Sequence, residues 1–178
     1  MNTTIPFYDI ANKFLLGFIF VFVVFMLYAN DILYFFIQNE KLFTIPAGIE
    51  TILTICFLSA VYEIGVLLNR ISSVGTEELL IKVKLWPPRS NYTNYNKAKR
   101  LHKKLPILAR EYDFYKGHVT LFIILALLAC VSFRWSLLIV FASIAIIFIA
   151  SGKKQSHRIN ELVKDYENTT SIAHDLMA

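Results

Sequence analysis

The chain has 178 residues, 56% of them hydrophobic, and a formal net charge of +5. This length gives one domain-sized unit, and so large an apolar share excludes an ordinary soluble globule. Its two cysteines, Cys56 and Cys130, fall inside apolar runs, where they act as small hydrophobes and point to neither a disulfide nor a zinc site.

Residues 1–13 read as a short lead-in whose Ile5, Phe7, Tyr8 and Ile10 can lie in the headgroup layer. Asp9 beside the single cation Lys13, with no small-residue cleavage site after the apolar stretch, does not make a cleavable signal, so this segment is expected to stay as the first span. Four apolar runs follow: Phe14 to Ala29 (extended by Ile32 to Ile37), Ile45 to Leu68, Val119 to Phe133, and Trp135 to Ala150. Lipid cannot hydrogen-bond bare backbone, so such runs are viable mainly as helices, and roughly 20 residues cross a hydrocarbon core. The last two runs, of 15 and 16 residues, span by borrowing flanking residues. Asn30–Asp31 belong near an interface, and Gln38 to Thr44 form a short loop. Pro46 opens the second helix where a missing N–H costs nothing.

Asn69–Arg70 end the second span, and Ser72–Ser73, Gly75 and Thr76 mark a turn. Thr76-Glu77-Glu78 can cap a short helix, whereas Ile81 to Leu85 alternates like a strand; the two readings stay open. Trp86-Pro87-Pro88-Arg89 favours an extended stretch. From there Ala98, Leu101, Leu105, Leu108, Tyr112, Tyr115, Val119 and Phe122 form a helical seam, which Pro106 should split into a basic helix over about 94–105 and a second one running into the third span. After the fourth span, Ile159, Leu162, Val163 and Tyr166 make another stripe expected to dock on the same layer, and the Asn168-Thr169-Thr170-Ser171 run loosens that helix. The fold class is thus an all-α four-helix transmembrane bundle. Residues 1–68 carry the first helix pair (spans about 14–37 and 45–68), 69–117 a basic insert, 118–150 the second pair, and 151–178 a C-terminal helix and tail.

Charge is unevenly placed. Residues 69–118 hold 11 of the 18 Lys and Arg against the four acids Glu77, Glu78, Glu111 and Asp113; the first interspan loop has only Lys41 and the last only Arg134. The positive-inside rule puts the insert and both termini in the cytoplasm. Within the insert, Arg89, Lys97, Lys99, Arg100, Lys103 and Lys104 form a candidate site for a partner or an anionic ligand. Contact with anionic lipid is the simplest reading, a protein docking face the next, and a nucleotide or nucleic acid the least favoured. Glu50 and Glu63, the acids of the second span, are a candidate intramembrane polar site, with interface acids or one interhelical salt bridge as the plainer reading. Small residues, Ala126 with Cys130 and Ala142-Ser143 with Ala145, would allow close helix approach, and Arg134-Trp135 reads as an interfacial anchor. His102, His118, His157 and His174 are isolated, so no catalytic residue, metal or cofactor is expected.

The order of parts is similar to that of a known kind of bacterial protein. Ile5-Pro6-Phe7-Tyr8-Asp9-Ile10 precedes the first span, a basic insert separates two helix pairs, and Ala109-Arg110-Glu111-Tyr112-Asp113-Phe114-Tyr115 leads into the third span. This layout resembles small four-span membrane proteins encoded beside anti-phage defence genes, including the membrane subunit of Kiwa-type systems. The resemblance implies a homo-oligomer of the inner membrane working with a cytosolic protein partner, and it carries over no site residues. An oligomeric scaffold or sensor is therefore expected, with an ion channel or pore-forming effector as the alternative. A pore could be lined only by Asn30, Asp31, Glu50, Thr54, Ser59 and Glu63.

Overall fold

The computed structural model describes residues 7–38, 48–88 and 90–175. Every regular element among them is helical: α1 (Phe7–Leu27), α2 (Ala29–Gln38), α3 (Ile49–Ile71), α4 (Glu77–Lys82), α5 (Tyr92–Leu101), α6 (Leu105–Val131) and α7 (Trp135–Asp175). Four stretches are long and apolar enough to cross a membrane: Phe7–Leu27, Ile49–Lys82, Leu105–Val131 and Trp135–Asn168. The protein is a multi-pass all-α bundle with a polar helical layer at one end. Its centre is α6, half of whose most apolar stretch is buried against 17% in each of the other three spans. That helix packs along α7 on one side and on α1 and α3 on the other. The shared core is Leu16, Leu68, Leu121, Leu125, Ala129 and Phe141. Lipid tails are as apolar as leucine, so these contacts hold the bundle through close packing rather than through escape from water.

The tightest contact joins α1 to α3. A Cβ on Gly17 would collide with the Val61 carbonyl, and one on Gly65 would collide with the Lys13 carbonyl. The two backbones therefore touch in a reciprocal notch that only glycine permits. Beyond that crossing α3 leaves its neighbours: every residue from Ile49 to Ala60 is exposed. The first described residue of this segment, Gly48, has φ 107°, a conformation that suits glycine alone.

At the end away from the polar layer, α1 stops at Leu27 and the chain bends at Tyr28 into α2. Arg134 Nη2 donates to the orphaned Leu27 carbonyl at 3.0 Å, and the Tyr28 and Ser132 hydroxyls meet at 3.2 Å. Arg134 is thus more than an interfacial anchor, because it caps α1 from the α6–α7 turn. Most of the expected first loop, including residues 39–44, lies outside the described residues.

The turn expected at Ser72–Thr76 does not form. Instead a π-helical turn carries α3 straight into α4. Ser72 and Ser73 donate to the Asn69 carbonyl at 2.6 and 3.2 Å, and the wider turn aims Ser72, Thr76 and Glu77 inward, where all three are buried. The open choice at Ile81–Leu85 resolves as helix to Lys82, and then a turn in which Lys84 takes φ 59°. The seam splits as expected, but at His102–Lys104, with Pro106 inside the first turn of α6. Leu101 is consequently 67% exposed and leaves the seam. The loosening expected at Asn168–Ser171 does not occur, since α7 runs to Asp175.

Candidate functional site

The polar layer is built by α4, α5, the first turns of α6 and the far half of α7. At its base lies a buried ionic cluster. Glu77 is 1% exposed and Lys116 6%. The Lys116 ammonium reaches Glu77 Oε2 at 3.3 Å and Asp113 Oδ1 at 2.9 Å, while the Tyr112 hydroxyl donates to Glu77 Oε1 at 2.8 Å. Lys116 also sits 5.6 Å from the centre of the Tyr112 ring. Taking an ion out of water costs several kcal/mol unless its partners are all in place, and here both carboxylate oxygens of Glu77 are engaged. Just below, Thr120 donates to the Thr76 hydroxyl at 2.8 Å. These bonds tie the π turn to α6.

Trp86 ties the same layer to α7. Its indole N–H donates to the Ile149 carbonyl at 3.0 Å, its ring centre lies 5.2 Å from that of Tyr112, and it is 2% exposed. Gly152 makes this possible, because a Cβ there would come within 2.6 Å of the indole. Gln155 donates to Glu111 and so joins α7 to α6. Further out, α5 docks on α7 through Ala98, Leu105 and Val163, flanked by Tyr95, Ile159, Leu162 and Tyr166. The two stripes meet through Ala98 and Leu105, whereas Leu101 and Leu108 are not part of this cluster. Asn94 to Glu167, at 2.5 Å, and Asn160 to the Pro88 carbonyl, at 3.1 Å, pin both flanks of α5 to the same helix.

Between these elements is a cavity of 480 Å³ walled by Tyr92, Tyr95, Tyr112, Asp113, Lys116 and Ser156 among others. Burial, and then the Asp113 carboxylate, push the Tyr95 phenol above its usual range. Lys116, on the wall of this cavity, is already held by two carboxylates.

The sequence-derived site residues fall in three places. Lys97, Lys99, Arg100, Lys103 and Lys104 are all exposed on α5 and the turn into α6, and among the described residues none of them forms an ion pair. Arg89 lies outside the described residues. Glu50 and Glu63 are both exposed on α3, away from the cluster and from each other's helix face. Glu63 lies between Val61 and Gly65, the two α3 residues that meet the Lys13–Gly17 turn of α1. Sequence reasoning missed the Glu77–Lys116 pair: it took Glu77 for a helix-capping acid and counted Lys116 among the cations. Tyr112, Asp113 and Lys116 at helical spacing beside an apolar run were the available signal. Among the described residues no group of three or more His, Cys, Asp or Glu could hold a metal ion. His118 is buried, stacked on Phe148 with ring centres 5.0 Å apart, and its Nδ1 lies 2.9 Å from the Phe114 carbonyl.

The chain matches no protein-family model, no curated protein and no solved structure.

Proposed function

We propose that this protein is an oligomeric scaffold or sensor of the bacterial inner membrane that recruits an acidic cytosolic partner by binding rather than by catalysis. The observation that carries the reading is the set of five exposed cations on α5 and its following turn, free of ion pairs among the described residues. They stand on a helix that Val163, Asn160 and Glu167 of α7 hold in place. A fixed cationic face steers and selects an acidic partner, whereas a loose basic tail serves lipid equally well. The excess of Lys and Arg in the same segment favours a cytosolic layer with both termini on that side. Oligomerisation is supported by Glu63, an exposed acid beside the α1–α3 crossing that forms no ion pair among the described residues and for which a neighbouring copy can supply a partner. The setting in anti-phage defence rests on the likeness in layout to Kiwa-type membrane subunits.

The test is recovery of cytosolic proteins on the full chain in mild detergent, wild type against Lys97→Glu/Lys99→Glu/Arg100→Glu. Charge reversal repels an acidic face, so the variant should lose the partner while keeping its own size and abundance. An ion channel formed between copies is the alternative, favoured by the exposure of Glu50 and Glu63. The two stand about 140° apart around α3, which gives no single polar stripe. Partner recovery indifferent to the reversal, together with ion-selective wild-type currents in planar bilayers, would replace the scaffold by the channel.

A further inference from the structure

The short helix α4 lies across α6 rather than along it. A Cβ on Gly117 of α6 would sit 3.7 Å from Asn69 Oδ1, so the end of α3 stands level with Gly117. Leu80 follows eleven residues later, yet it packs in one cluster with Val119 and Trp86. Eleven residues of helix parallel to α6 would move the contact by about 16 Å, whereas Gly117 and Val119 are only about 3 Å apart along that helix. The segment therefore stays at one level, and that level is the edge of a span, because the apolar run of α6 starts at Val119. The two flanks of α4 are unlike. Its inner side carries Glu77, Leu80 and the half-buried Ile81. Leu80 belongs with Val119, and Glu77 with Tyr112 and Lys116, so the Leu80 side is the one nearer the membrane. At about 100° per residue, Leu79 and Val83 continue outward from the Leu80 side, and Glu78 and Lys82 from the Glu77 side. Leu79 and Val83 are 58% and 54% exposed, and Leu85 in the following turn is 45% exposed. Glu78, Lys82 and Lys84 are exposed too, and none of them forms an ion pair among the described residues. Of the neighbouring acids, Glu77 and Asp113 are drawn inward to Lys116, and Glu111 accepts from Gln155. The outer surface of α4 and its turn is thus apolar on the membrane side, with two lysines against one acid.

We infer that α4 is a membrane-surface helix and that, with the turn after it, it binds anionic phospholipid headgroups in the leaflet beside the polar layer. Leu79, Val83 and Leu85 enter the apolar edge of that leaflet, as the lower flank of an in-plane amphipathic helix does. Lys82 and Lys84 then stand at headgroup height, their stems along apolar surface and their ammonium groups on lipid phosphate. The turn is built for this placement. Lys84 takes φ 59°, and the Leu85 and Trp86 N–H groups both donate to the Leu80 carbonyl, at 2.9 and 3.1 Å. These bonds fold the turn back on the end of α4 and keep both lysines there. Trp86, buried on Ile149 and Gly152 of α7, anchors the far side of the turn. Lipid is the occupant because the apolar flank continues the level of the spans and its cations complement anionic headgroups. The inference uses no residue of α5 and is independent of partner recruitment.

Two measurements on the full chain test it. Single spin labels in a Cys56→Ser/Cys130→Ser background report depth in vesicles of phosphatidylglycerol and phosphatidylcholine. Labels at Leu79→Cys and Val83→Cys should meet membrane-dissolved oxygen more than a water-soluble nickel chelate, and a label at Glu78→Cys the reverse. Greater nickel access at Leu79 and Val83 would overturn the inference. So would protection from both reagents, which would put a protein surface there. Thermal unfolding in neutral detergent reads headgroup selection. Phosphatidylglycerol should raise the melting temperature at lower concentration than phosphatidylcholine. Lys82→Gln and Lys84→Asn, the latter chosen because asparagine tolerates positive φ, should each raise the phosphatidylglycerol concentration needed by about fivefold. Lys164→Gln removes an exposed lysine about 18 Å beyond Gly152 along α7, and should leave that concentration unchanged. No preference for phosphatidylglycerol, or an equal loss in all three variants, would contradict a headgroup site on α4.

Discussion

Glu77 and Lys116 are the two residues whose environment departs most from what their chemistry prefers. Each is a charge removed from water, and each offsets part of the other's cost there. Lys116→Met takes the ammonium away from a buried carboxylate, and should cost about 3–5 kcal/mol. Glu77→Gln should cost less, because Asp113 still neutralises Lys116. The double variant Glu77→Gln/Lys116→Met should recover part of the loss of Lys116→Met, since no charge is then stranded. Unfolding of the four proteins in detergent gives this cycle, and strictly additive losses would mean that the pair is not coupled. At this scale the sequence was least legible. Glu77 was readable as an acid near a helix start and Lys116 as one cation among eleven in its segment. What joins them is the π turn, and nothing in Ser72-Ser73-Val74-Gly75-Thr76 distinguishes one extra residue per turn from a break in the helix. Ser and Gly punctuate loops in water, but here the serine hydroxyls bond back to Asn69 and keep the helix going.

Among the elements, the α1–α3 crossing is the contact least able to tolerate change. Gly17→Val inserts three carbons where backbone already touches backbone, so the helices must part, with an expected loss of about 1–3 kcal/mol. Gly75→Ala is the matching control, because a Cβ there meets nothing within 4 Å and the helical backbone favours alanine. Thermal unfolding should show the first variant destabilised and the second at or above wild type; equal behaviour would argue against the notch. The four spans themselves were legible, since their apolar runs are too long for anything but helices in lipid, and so was the split seam, since Pro106 can sit only in a first helical turn. The small-residue contacts were only half legible. Ala126 and Ala145 do lie in packed surfaces, but Cys130 and Ser143 are exposed, and the closest approach belongs to Gly17 and Gly65. Which small residues meet depends on the phase and register of two helices far apart in sequence, and a single run of residues carries neither. The candidate site divides in the same way. The exposed cations of α5 could be read directly from charge, whereas the cavity beside them arises only when four helices converge.

Taken whole, the molecule is polarised along its helices. One end is closed by Arg134 on the Leu27 carbonyl and a three-residue turn at Ser132–Arg134. The other carries the ionic cluster, the Trp86 anchor and the basic face of α5. This asymmetry makes sense for a scaffold only if the basic end faces the cytosol, because the proposed partner and the positive-inside rule both require it there. The most direct measurement is labelling by a membrane-impermeant maleimide in a Cys56→Ser/Cys130→Ser background, with one cysteine placed at Lys97 on α5 or at Phe133 in the opposite turn, both exposed positions. Phe133→Cys should label in intact cells, and Lys97→Cys only after the cells are opened. Strong labelling of Lys97→Cys in intact cells, with Phe133→Cys protected, would invert the molecule and remove its basic face from any cytosolic partner.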